Sequence, residues 1–289
     1  GLTTHPKVRQ AAINAIAEYG TSCTGSRFLN GNMTMIEDLE KELAAWVGKE
    51  AALVFSTGMQ TNLGTISALV GKDDIIIMDK EDHASIVDGA FLSGGKIERF
   101  RHNDMDHLER VLKSLPEEKG KLLVVDGLFS MEGDIAPLPR MVELCAEYGV
   151  RLMVDDAHAF GVLGGGRGTA AHFSLTDKVD LIMSTFSKSM ASIGGFIAGD
   201  FAVVDYIEHH ARSLIFSASI PPANTATVLA ALQVMKEEPE RIERVNQYGA
   251  FMRHGFKNLG FDTGASCTPV VPIIIGDDAL TFESWRRLF

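Results

Sequence analysis

Apolar residues along the chain follow two alternating patterns. Runs of strand length occupy residues 51–55 (AALVF), 75–78 (IIIM), 122–125 (LLVV), 151–154 (RLMV) and 180–183 (DLIM), each followed by polar or Gly-containing sequence. Between them apolar residues recur at helical spacing. In residues 36–47 Ile36, Leu39, Leu43 and Trp46 share a face, and residues 138–148 repeat the pattern after the turn-forming Pro137 and Pro139. Strands that are apolar throughout belong to a sheet covered on both sides. The alternation therefore predicts an α/β fold, a mostly parallel sheet with helices on both faces.

The charged run Lys236–Arg244 reads as a solvated helix face in which Pro239 marks a bend or a helix start. A domain boundary is expected there, with residues 1–237 as the large domain and residues 238–289 as the start of an incomplete C-terminal α+β domain. The run Val270–Ile275 is expected to be one strand of that second domain. The chain starts at Gly1 and stops directly after an amphipathic stretch, so it reads as a segment of a longer protein, and a lost targeting sequence stays open.

Composition narrows the function. The 289 residues are 46% hydrophobic and 22% charged, the balance of a soluble globular protein. A net charge of -11 argues against general nucleic-acid binding, which needs a basic footprint, and points to small substrates. The longest apolar stretches fall far short of the ~18 residues of a membrane span, so no crossing is expected. Cys23, Cys145 and Cys267 are widely spaced with no CxxC, which suggests neither a disulfide framework nor a zinc knuckle and fits a reducing cytoplasm.

In open parallel sheets the ligand lies beyond the carboxyl ends of the strands, so the residues after each apolar run carry the chemistry. After AALVF, Ser56-Thr57-Gly58-Met59-Gln60 leads into the helical stretch Thr61–Leu69, where N–H groups at a helix start offer a phosphate site. Turns with Gly between strand and helix are common, so this signal is unspecific by itself. After DLIM, the hydroxyls of Thr185 and Ser187 add two donors beside Lys188. Small and apolar residues surround Lys188, and desolvation there would lower the pKa of the amine and favour Schiff-base chemistry. A lysine taken alone is more often an ordinary surface residue. Asp155 follows RLMV directly, His158 comes three residues later, and His83 follows the strand end after IIIM. An aspartate opposite a pyridinium nitrogen keeps that nitrogen protonated. The Asp155-Asp156-Ala157-His158 run with His83 is alternatively half of a metal site, but no helical HxxxH or CxxC accompanies it, and no metal is expected.

Taken in order, seven motifs resemble the α-oxoamine synthase family of pyridoxal-phosphate (PLP) enzymes over almost the whole chain. They are Gly25-Ser26-Arg27-Phe28-Leu29-Asn30-Gly31, Phe55 to Asn62, Asp82-His83-Ala84-Ser85, Asp126 to Asp134, Asp155 to His158, Thr185-Phe186-Ser187-Lys188, and Phe216 to Pro222. The resemblance implies the aspartate-aminotransferase-like fold and condensation of an amino acid with an acyl-CoA. It implies that Lys188 holds PLP as a Schiff base and moves protons at the substrate α-carbon. His83 would stack on the ring, Asp155 would pair with the pyridine nitrogen, and His158 with Ser130 would reach the ring oxygen. Gly58, Met59, Thr185 and Ser187 would hold the phosphate. Ser217 matches a position that reaches the phosphate of the partner subunit, which implies a homodimer with shared sites.

The run from Thr185 to Asp200 and the run Ala211–Ser219 are most similar to bacterial serine palmitoyltransferases, which join L-serine and palmitoyl-CoA with loss of CO2 in sphingolipid synthesis. Synthases of 8-amino-7-oxononanoate and glycine C-acetyltransferases are the alternatives within the family, and a non-catalytic partner subunit is the alternative from another class. Two departures accompany the resemblance. Ile36 stands where many members have histidine, and the family's substrate-carboxylate arginine is expected beyond Phe289, which would leave this segment inactive by itself.

Overall fold

The structure is a computed structural model that describes residues 1–288. The apolar runs do form strands, and two less conspicuous segments join them. In chain order the strands are β1 (Ala51–Phe55), β2 (Ile75–Asp79), β3 (Lys96–Phe100), β4 (Lys121–Asp126), β5 (Arg151–Asp155), β6 (Leu181–Thr185) and β7 (Gly195–Gly199). They build one sheet in the order β1-β7-β6-β5-β4-β2-β3. β2 to β6 run parallel, while β7 is antiparallel to both of its neighbours, β1 and β6.

Because side chains alternate across a strand, the sheet generates two apolar layers. Val54, Ile77, Val125 and Val154 face a core that includes Ile36, Leu39 and Leu43 of the helix Thr34–Val47 and Val228 of the helix Pro222–Glu237. Phe55, Met78, Val124 and Met183 face the opposite layer, where Ile66, Ile86 and Val204 come from three further helices. Helices therefore cover both faces, as the unbroken apolar runs predict. Ile36 is fully buried in the first layer, so at this position the chain has a core residue.

Helices cover residues 34–47 and 138–148, as the periodicity predicts, and a new helix begins at Glu240 just after Pro239. One expectation fails. Val270–Ile275 has no regular secondary structure and pairs with no strand among the described residues. Proline cannot donate to a ladder, and Pro272 interrupts this segment while Pro269 directly precedes it. Its Ile274 N–H instead donates to the Asp262 carbonyl at 2.9 Å.

The sheet and its first crossover helix meet unusually closely. A Cβ on Gly195 of β7 would lie 2.6 Å from Thr61 Oγ1 and 2.9 Å from Gly58 Cα, so only glycine lets the helix Gly58–Leu69 start against β7.

Candidate active site

The strand ends open on one cavity of about 370 Å³. Gly58, Met59, His83, Ser130, Asp155, His158, Thr185, Ser187 and Lys188 all line it, together with Asn62, Ser85 and Asp126. Ser217 is not part of this wall. Its hydroxyl accepts a hydrogen bond from Gln60 Nε2 at 2.9 Å, in the first turn of the helix that follows β1.

One end of the cavity is built for an anion. Thr57 caps the helix Gly58–Leu69 by accepting from Gln60 N at 3.1 Å, while the N–H groups of Gly58 and Met59 have no acceptor within the helix. The positive end of the helix dipole lies at the same place. Thr185 Oγ1 and Ser187 Oγ sit 2.9 Å apart, and the Thr185 hydroxyl donates to the Gly194 carbonyl at 3.0 Å. The cradle is tight, since a Cβ on Gly58 would lie 2.7 Å from Thr185 Oγ1.

The other end is acidic. Asp155, only 2% exposed at the end of β5, accepts from Asn62 Nδ2 at 2.7 Å and from Ala157 N at 2.9 Å. Asp126, at the end of β4, accepts from His83 N at 2.9 Å. Burial, reinforced by the charge of Asp155, pushes the Asp126 carboxyl well above its ordinary range. Asp82 behind it is raised in the same way, by burial and then by Asp126, although it accepts from Asp79 N at 2.7 Å and Asp126 N at 2.9 Å. Asp156, next to Asp155 but turned away to accept from Thr169 N at 2.9 Å, is pushed up by burial to about 7.

The lysine and the two histidines line the same cavity. Burial lowers the Lys188 ammonium below its ordinary value, with Asp155 and Asp126 opposing, so a larger fraction of the amine is free to act as a nucleophile. Burial, together with the positive Lys188 and then His83, pushes His158 down to about 4, so its imidazole is neutral near pH 7. His83 caps the helix Ala84–Ser93, and its Nδ1 accepts from Ser85 N at 3.2 Å. A neutral His83 ring therefore carries its proton on Nε2. The loop bearing Ser130 is held from outside by His102, whose ring nitrogens lie 3.0 Å from Asp79 Oδ1 and 3.0 Å from Asp134 Oδ2. Burial opposes charge on His102, but the two carboxylates outweigh it and raise its pKa.

Asn62, Ser85 and Asp126 were not singled out from sequence, although each lies inside a motif quoted above. Their signal is positional: each sits within a few residues of a strand end already marked by a glycine, a histidine or a strand-terminal acid.

N–H groups and hydroxyls, a buried carboxylate and a partly desolvated amine on one cavity match the phosphate, ring nitrogen and aldehyde of pyridoxal phosphate. Fold and site together define a PLP-dependent enzyme of the aminotransferase type. The chain belongs to the aminotransferase class I and II family, which it matches over residues 1–289, and within that family to the α-oxoamine synthases. It is 53% identical to a serine palmitoyltransferase of Sphingobacterium spiritivorum, over 100% of this chain and 72% of the relative. It is 46% identical to an 8-amino-7-oxononanoate synthase of Bacillus pumilus, over 100% of this chain and 74% of the relative. A solved serine palmitoyltransferase variant from S. paucimobilis, with a bound PLP–myriocin aldimine, superposes with a TM-score of 0.96 at 35% identity, covering 100% of this chain and 75% of the other. Among the described residues no helix is long and apolar enough to cross a membrane.

Two outcomes follow from this geometry. Gly58→Ala should weaken PLP binding by about tenfold or more in a fluorescence titration, because the added methyl must displace Thr185 from the cradle; unchanged affinity would remove the cradle from the binding site. His158 has a folded pKa of about 4 against 6.5 for the free side chain, so the unfolded chain takes up more protons between those values and stability rises with pH across that window. Denaturation of His158→Gln at a series of pH values should therefore show a shallower slope between pH of about 4 and 6.5.

Proposed function

We propose that the chain is the cofactor-binding body of an enzyme that carries out a PLP-dependent decarboxylative condensation of L-serine with a long-chain acyl-CoA, the reaction of a serine C-palmitoyltransferase. The reading is carried by the placement of Lys188, a partly desolvated amine in one cavity with an anion cradle and a buried carboxylate, in a chain so similar to serine palmitoyltransferases. PLP, when bound, supplies a conjugated pyridinium ring that spreads negative charge away from the substrate α-carbon.

In this proposal the protein positions and moves protons. Lys188 Nζ would be the covalent anchor of PLP, and its amine, when free, would take the proton from the substrate α-carbon. Asp155 would pair with the pyridine nitrogen and keep it protonated. His83 covers the ring, and His158, a neutral donor, joins Ser130 at the ring oxygen. Gly58, Met59, Thr185 and Ser187 hold the phosphate with N–H and O–H groups. Ser217, which lies on its own chain's Gln60, reaches the phosphate of a second copy in a cytoplasmic homodimer with shared sites. Which α-carbon bond breaks depends on how the bound amino acid is oriented rather than on a further acid or base.

The likeness to 8-amino-7-oxononanoate synthase favours a second reading, in which another small amino acid such as alanine, or glycine as in glycine C-acetyltransferase, replaces serine. A non-catalytic partner subunit fits less well, because Lys188, His83, Asp155 and His158 all line one cavity.

Lys188→Ala should lose both the visible absorption of PLP-loaded protein and its borohydride-stable lysine adduct. Persistence of a lysine-linked cofactor would remove Lys188 from this role. Titration of the loaded protein with serine, glycine and alanine separates the readings, and a spectral response to glycine or alanine without one to serine would overturn the palmitoyltransferase assignment.

A further inference from the structure

Asn62 is fully buried in the helix Gly58–Leu69 and lies on the cavity wall. Both protons of its amide are committed: Nδ2 donates to Asp155 Oδ2 at 2.7 Å and to Ser85 Oγ at 2.8 Å. Ser85 Oγ lies in turn 2.8 Å from His83 Nδ1. Since the serine oxygen already accepts from Asn62, its own proton can point to the ring, in agreement with the acceptor role of Nδ1 toward Ser85 N. The direction of the amide is forced, because turning it over would press Oδ1 against the Asp155 carboxylate. Asn62 Oδ1 is then left buried with no hydrogen-bond partner among the described residues. A leucine would fill nearly the same space without an unmet acceptor, so packing alone does not account for an amide here. Its two donors do.

We propose that Asn62 is a positioning residue that couples the Asp155 carboxylate to the His83 ring through Ser85 Oγ, setting the charge beneath the cofactor nitrogen and the orientation of the covering imidazole as one unit. Asp155 ends β5 and His83 follows β2, two strands separated in the sheet by β4. The side chain that spans the gap comes from a third element, the helix after β1. A shift of either group is transmitted to the other through three hydrogen bonds, by way of the Asn62 amide and the Ser85 hydroxyl. The inference rests on the roles given to Asp155 and His83 in the proposed function.

The test compares Asn62→Leu and Ser85→Ala in the full chain. In cofactor-free protein the 15N shifts of the His83 ring report its tautomer, and both variants should move the ring from a predominant Nε2–H form toward a mixture. In PLP-loaded protein, Asn62→Leu should displace the pH midpoint of the visible absorption and weaken PLP binding about tenfold or more. Ser85→Ala keeps the bond to Asp155 and should give a smaller displacement. An unchanged His83 tautomer in both variants, or an unchanged midpoint and affinity in Asn62→Leu, would overturn the coupling. Should Asn62→Leu not fold, Ser85→Ala removes a single hydroxyl, and its His83 signature decides the link. If PLP does not load into the unsubstituted protein, the proposed function falls, while the 15N measurement still decides whether Asn62 and His83 are linked.

Discussion

Aspartates gathered at the ends of neighbouring parallel strands have to be solvated by the protein itself. Asp79, Asp82, Asp126 and Asp155 are all buried, and an unsatisfied carboxylate at such depth would cost more than a domain of this size can spare. Each acid therefore draws its donors from a neighbouring segment. Asp82 takes the N–H at the end of β4, Asp126 takes the N–H of His83, and Asp155 takes the amide of a helix that follows β1. The need to satisfy these charges is what pulls the loops after β1, β2, β4 and β5 into one framework. A site assembled in this way is ordered before any ligand arrives, so little reorganisation is left for the binding step.

The same crowding explains why the basic groups have unusual properties. Burial lowers the pKa of Lys188, and the nearby Asp155 and Asp126 oppose the shift. His158, which shares the cavity with Lys188 and has no comparable acid among the causes of its shift, is held neutral. Burial thus acts on both bases in the same direction, and only Lys188 has buried acids opposing the shift.

How far this was legible in the sequence depended on the length scale of each signal. β2, β4 and β5 stood out because sheets covered on both faces need uninterrupted apolar runs. β7 was hidden because it is Gly-Phe-Ile-Ala-Gly, whose terminal glycines read as turns although every residue is buried. β3 was hidden for the opposite reason: it is an edge strand of mostly charged residues, with Phe100 as its buried member. Val270–Ile275 misled because an apolar run predicts burial but not a hydrogen-bonding partner. Among the site residues, Lys188, Asp155, His158 and His83 were found by their place at strand ends. Asn62 was not, because a polar residue inside a helix normally reads as solvent-facing, and its partner Asp155 lies 93 positions away. Ser217 had no signal apart from the family resemblance.

The antiparallel seam between β1 and β7 also has a consequence for the timing of folding. β1 has β7 as its neighbour in the sheet, and the chain must finish β2 through β6 before β7 leaves the ribosome. Until then β1 is an open edge of five largely apolar residues, and the helix start that depends on Gly195 has nothing to lean on. A nascent chain therefore has no anion cradle until β7 has emerged. Capture of the cofactor must come late, after the loop between β1 and β7 has closed, and the exposed first strand is where a chaperone would have most reason to hold on.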